Sequence, residues 1–142
     1  METSAAEQPA ASNTIAGVVH RTIDDGVVTL TIERGAHNAL TRALSDLLVA
    51  ALDECAADPG VRVVVLTAAG RQFSSGADLS SGADAFITIL EAAGAGEPGY
   101  SEPAGRIVLA IGRLGMPLIV AVNGDAIGRA TAGPDHLWGV RP

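Results

Sequence analysis

Aromatic side chains are scarce in this chain, at 3% of its 142 residues, and charged ones are sparse at 18%. So few rings cannot supply a base-stacking surface for nucleic acid. A net charge of −7 points the same way, because a phosphate backbone attracts the opposite sign. Cys55 is the only cysteine, which excludes an intrachain disulfide and a cysteine-rich metal centre. No segment carries the roughly 18 apolar residues of a transmembrane span. Met1-Glu2-Thr3-Ser4 lacks the basic start and apolar run of a secretory leader. The expectation is a cytoplasmic chain with no nucleic-acid, membrane or metal partner. The acidic balance says little about small ligands, which backbone amides and a few arginines can still hold.

What is plentiful is aliphatic. Hydrophobic residues make up 48% of the chain, a globular composition, and the length suits one domain. Residues 1–13 are mostly Ala, Ser, Glu and Gln without periodicity and read as a disordered leader. Val18–Ile23 and Val27–Ile32 are rich in Val, Ile and Thr, and Asp24-Asp25-Gly26 between them suits a tight turn, which predicts a β-hairpin. After the polar loop Arg34–Asn38, Thr41 can cap a helix. Leu44, Leu47, Leu48, Ala51, Leu52 and Cys55 then recur at helical spacing, with Cys55 as a buried inert thiol, and Asp58-Pro59-Gly60 stops the helix.

Val61–Thr67 is almost continuous Val and Leu, which predicts a strand covered on both faces, as in parallel sheets. Ala68–Gly82 reads as a long loop, Ala83–Ala92 as a short helix and Gly94–Ser101 as a flexible surface excursion. Ile107, Leu109, Ala110, Ile111 and Leu114 suggest another helix closed by Gly115. Pro117–Val122 is expected to be a second buried strand ended by Asn123-Gly124. Strands alternating with helices predict an α/β fold of strand-strand-helix units, without an internal repeat visible in the sequence.

Both buried strands run into glycine-containing loops, and ligands in such sheets bind beyond the carboxyl ends of strands. Gly76 has no Cβ and lets backbone approach a ligand. Asp78 and Ser80 can cap the following turn and so aim the amides around Ala77 at one point, as anion sites require. The glycine spacing of a dinucleotide fingerprint is absent, and Ser74 and Ser75 lack a nucleophile-elbow frame.

Three blocks in order carry a likeness to a known family. They are Arg34-Gly35-Ala36-His37-Asn38-Ala39-Leu40, Gly70-Arg71-Gln72-Phe73-Ser74-Ser75-Gly76-Ala77-Asp78-Leu79 and Pro117–Gly128. Over about residues 15–128 the chain resembles the first half of the crotonase (enoyl-CoA hydratase/isomerase) catalytic domain. The resemblance implies a crotonase-like (ClpP/crotonase) α/β spiral of ββα units, truncated, with residues 14–128 as a partial acyl-CoA-binding domain. It implies an acyl-CoA thioester held with its carbonyl oxygen between two backbone amides, Ala77 from one loop and Arg129 from the other. It also implies substrate contacts from Arg34, Ala36, His37, Gly76, Ala77, Asp78, Leu79 and Ser80, with Arg34 a candidate partner for a CoA phosphate. No separate cofactor is expected, CoA being part of the substrate, and a homo-oligomer is expected if the chain folds.

The family pattern departs after Gly128. Residues 129–142 read as an aberrant tail, such as a shifted reading frame would give, and Pro134 interrupts the expected helix. Continued without a gap, the resemblance puts Ala132 where the first hydratase glutamate stands and the second beyond Pro142. The expectation is therefore an inactive family member, the alternative being a non-catalytic acyl-CoA binder or partner subunit. Asp135-His136 and His20 are read as surface residues.

Overall fold

Asp25 and Gly26 both take positive φ, 45° and 77°. That two-residue turn matches the twist of the strands it joins. β1 (Val18–Asp24) and β2 (Val27–Glu33) pair antiparallel across it, so the expected hairpin forms. The computed structural model describes residues 16–78 and 103–128. The leader, the helix expected over 83–92, the excursion over 94–101 and the tail over 129–142 lie outside the described residues.

β3 (Val63–Ala68) joins β2 in parallel, and β5 (Leu118–Val120) joins β3 in parallel, giving a sheet of order β1-β2-β3-β5. Register decides the core. Val28, Leu30 and Ile32 of β2 lie beside Val64, Leu66 and Ala68 of β3, and all six are buried. Alternation along each strand sends these side chains to one face.

Two helices cover that face. α1 (Arg42–Ala57) starts at Thr41, whose Oγ1 accepts the Leu44 N–H at 3.1 Å, and ends at Asp58, as expected. It buries Leu44, Leu48, Leu52 and Cys55. α2 (Pro103–Gly112) contributes Ile107, Ala110 and Ile111, and Leu114 follows just beyond its end. Asp46 pairs with Arg106 and Asp53 with Arg113, a seven-residue step on both partners, so the two helices run side by side in one direction. Such exposed pairs orient more than they stabilise.

Several expectations about burial change. Leu47 is expected on the apolar face of α1 and Leu109 is counted among the apolar residues that suggest α2, yet Leu109 is 60% exposed and Leu47 is exposed as well. At 3.6 residues per turn, Ile107, Ala110 and Ile111 define the inner face of α2 and Leu109 points the other way. β3 is buried on one face and half-buried on the other. β5 is the last strand in the sheet order, with Leu118 and Val120 packed on the core and Ile119 54% exposed. Ala68–Gly82 is not wholly loop, because β4 (Gln72–Ser74) pairs in parallel with β6 (Asp125–Ala126). The described order is therefore β1-β2-α1, β3-β4-α2, β5-β6, a strand-strand-helix repeat that no sequence self-similarity reveals.

Candidate functional site

β2, β3 and β5 run parallel, so the chain leaves all three at the same end of the sheet. The loops that follow them, 34–40, 69–78 and 121–128, meet there. This is the carboxyl edge at which ligands bind in such sheets.

Segment 72–78 lies between the other two. At the Ser74–Ser75 peptide, the Ser75 N–H donates to the His37 carbonyl at 2.9 Å, and the Ser74 carbonyl accepts the Ile127 N–H at 3.0 Å. One edge thus faces loop 34–40 and the other faces β6. The division recurs further along. The Leu40 N–H donates to the Gly76 carbonyl at 2.7 Å and the Asp78 N–H donates to the Leu40 carbonyl at 3.0 Å, forming a parallel bridge between Leu40 and Ala77. A trans peptide sets its N–H antiparallel to its carbonyl. The Ala77 N–H therefore points away from loop 34–40, and among the described residues nothing accepts it. Gly76 makes this path possible with φ of 87°, a region that L side chains rarely adopt.

Side chains lock the first two loops together. Asn38, with φ of 48°, is 0% exposed; its Oδ1 accepts the Arg34 N–H, and its Nδ2 donates to the carbonyls of Ala69 (2.9 Å) and Gln72 (3.0 Å). Asn tolerates the left-handed region better than most residues. Ser74 Oγ donates to the Asn38 carbonyl at 2.8 Å and accepts the Gly76 N–H at 3.1 Å. Arg34 and Asp78 form an ion pair of 2.7 Å, with side chains only 18% and 15% exposed, and the Arg34 guanidinium also donates to the Ala39 carbonyl. Removing either partner would leave a mostly buried charge uncompensated, so the pair ties the two loops to each other.

The second contact is built on absence of bulk. A Cβ built on Gly124 would overlap the Arg71 carbonyl, so only glycine lets the β5–β6 loop press against the chain entering β4. Asn123 Nδ2 donates to the Gly70 carbonyl at 2.9 Å beside it.

The structure therefore brings Arg34, Ala36, His37, Gly76, Ala77 and Asp78 to one end of the sheet. Leu79, Ser80 and Arg129 lie outside the described residues. The Arg34 guanidinium turns onto Asp78, and the exposed His37 shares a hydrogen bond of 2.6 Å with Gln72. Sequence reading passed over Asn38, Leu40, Ser74 and Gly124 as site-building residues. The available signal for Asn38 was an asparagine ending a polar strand-to-helix loop, a place for positive φ. Among the described residues no group of three His, Cys, Asp or Glu could hold a metal ion, and no helix there is long and apolar enough to cross a membrane.

A family model described as enoyl-CoA hydratase/isomerase matches residues 22–131. A probable enoyl-CoA hydratase of Mycobacterium leprae is 36% identical over 135 residues, which is 85% of this chain and 45% of that protein. Among solved structures, an enoyl-CoA hydratase from Mycobacterium marinum is similar with a TM-score of 0.61 and 38% identity, over 78% of this chain and 50% of that one. An enoyl-CoA hydratase/isomerase from Pseudoalteromonas atlantica gives a TM-score of 0.60 and 34% identity, over 78% and 40% of the two chains. The chain spans less than half the length of the curated relatives it matches.

Proposed function

The chain belongs to the enoyl-CoA hydratase/isomerase family and has part of its crotonase-like α/β fold, and from that premise we propose that its Ala77 N–H hydrogen-bonds the carbonyl oxygen of an acyl-CoA thioester. The observation that carries this reading is the direction of that amide. The Leu40 N–H holds the Gly76 carbonyl, so the adjoining Ala77 N–H is aimed outward at the ligand-binding end of the sheet.

Its chemical use follows from charge. When a proton leaves the carbon next to a thioester, or when water adds to a conjugated one, negative charge collects on the carbonyl oxygen. A donor already aimed there binds this enolate-like state more tightly than the ground state and lowers the barrier. The amide is held before the reaction starts, so it needs no reorganisation. By the resemblance, the second donor is expected at Arg129. Continued without a gap, the resemblance implies Ala132 where the first glutamate would stand, and a methyl group can carry no proton. We therefore read the 142-residue polypeptide as one that binds an acyl-CoA without hydrating it.

A titration with acyl-CoA labelled with ¹³C at the thioester carbonyl tests this reading by difference infrared spectroscopy. A hydrogen bond from Ala77 lowers the carbonyl stretching frequency in the complex. An unshifted band at saturation, or equal affinity for free CoA, would count against it. Loss of the enoyl absorbance of crotonyl-CoA above a buffer control would overturn the non-hydrating part.

Non-catalytic binding is thus part of the same reading. A partner-subunit role draws on a different observation, the exposed Ile119, Val122 and Ile127 beyond α2. Size-exclusion chromatography with and without CoA separates them, since a monomer throughout removes the case for association.

A further inference from the structure

The amide of Ala77 owes its direction to a glycine, and glycine is the residue least able to hold one conformation. Gly76 connects two peptide planes through the two soft torsions of its own backbone. The plane after it is held by the Leu40 N–H on the Gly76 carbonyl. The plane before it is held by Ser74, whose Oγ accepts the Gly76 N–H at 3.1 Å. With both planes held, φ and ψ of Gly76 are restrained from both sides.

Ser74 itself is not free to turn. A hydroxyl has a single proton, and that proton goes to the Asn38 carbonyl at 2.8 Å, which leaves lone pairs facing the Gly76 amide. Ser74 is 1% exposed, so water cannot substitute for either bond. Asn38 is fixed in turn by its side-chain bonds to Ala69, Gln72 and Arg34. The chain of contacts thus runs from the end of β3, through Asn38 and Ser74, to the amide plane next to Ala77.

We propose that Ser74 is a positioning residue, whose hydroxyl, oriented by Asn38, keeps rigid the direction that the Leu40 bond gives the Ala77 N–H. Glycine supplies the conformation and serine supplies its rigidity. The proposal rests on the reading of Ala77 as the donor to a thioester oxygen. It adds that a side chain outside the donor's own peptide plane steadies the donor's aim.

Two measurements on the full chain test it separately from that reading. The first needs no ligand. The ¹⁵N order parameter of Ala77 is expected near the rigid-backbone value of about 0.85 in the native chain, falling below about 0.6 in Ser74→Ala. Ser74→Cys keeps a similar volume with a weaker hydrogen-bonding atom and should fall between, which also covers a failure of Ser74→Ala to fold. An order parameter unchanged in both variants overturns the proposal.

The second measurement is the carbonyl frequency of bound ¹³C-labelled acyl-CoA. The downshift should shrink at least twofold in Ser74→Ala and less in Ser74→Cys, while affinity for free CoA stays within about twofold. A merely structural serine would alter binding of both ligands together. Variants that keep the full downshift overturn the positioning role. A native chain without any downshift instead removes the thioester reading, whatever the order parameters show.

Discussion

Two asparagines grip the same stretch of chain with different strength. Asn38, in the loop after β2, and Asn123, in the loop after β5, both donate from Nδ2 to carbonyls of the Ala69–Gln72 segment. Asn38 is wholly buried and uses every donor and its side-chain acceptor, whereas Asn123 is exposed and makes one such bond. Water can replace the partner of an exposed amide and cannot reach a buried one. The first loop pair is therefore fastened by buried polar groups, while the second leans on it through the fit of a glycine.

Substitutions can break or sharpen this contrast. The largest effect is expected from Asn38→Ala, which strands the Arg34 N–H and the carbonyls of Ala69 and Gln72. Unsatisfied buried groups cost about 1–3 kcal/mol each, so a loss of about 3 kcal/mol is expected in urea denaturation. A loss below about 1 kcal/mol would show that the buried clasp is no stronger than the exposed one.

Gly124→Ala comes next. Its methyl group meets the Arg71 carbonyl, and relieving that overlap should cost about 2 kcal/mol. The damage should stay in the second loop, with amide-exchange protection falling at Ile127 and persisting at Ser75. Loss of protection at both would mean that the two loops fold as one unit.

The third test compares two buried serines. Ser74 makes two hydrogen bonds, while the Ser45 hydroxyl finds none among the described residues. Replacing an unsatisfied polar atom by an apolar one removes a desolvation penalty, so Ser45→Ala should raise stability by about 1 kcal/mol. A fall in the denaturation midpoint would reveal a partner for this hydroxyl. The smallest effect belongs to Asn123→Ala, expected within about 0.5 kcal/mol of the native chain because the site is exposed. A larger loss would place Asn123 on the same footing as Asn38.

Much of the fold was legible in the sequence because the cues are local. Asp25-Gly26 between two β-branched runs announced the hairpin, and Thr41 followed by the leucine spacing announced α1. β4 was missed because three residues show no usable alternation, and its pairing with β6 joins residues some fifty positions apart, Gln72 with Asp125. The place of β5 as the last of the described strands was equally hidden, since a run of Leu, Ile and Val does not say which neighbour it will have.

The candidate site divides in the same way. The three sequence blocks marked the family and pointed to Gly76-Ala77-Asp78, and the structure brings Arg34, Ala36 and His37 to the same end of the sheet. They could not show that Asp78 pairs with Arg34 or that Ser74 and Asn38 tie the loops together.

By itself, the sequence determined the hairpin, the capped helix, the parallel-sheet character and the family. These depend on local torsional preference and on the spacing of apolar side chains. Only the tertiary structure decided where the Ala77 amide points. That direction depends on Leu40 and, through Gly76, on Ser74 and Asn38, and the Ser74–Asn38 bond alone spans 36 positions. A hydrogen bond requires its two atoms to meet within about 3 Å, a condition set by how the strands assemble and by no pattern along the chain.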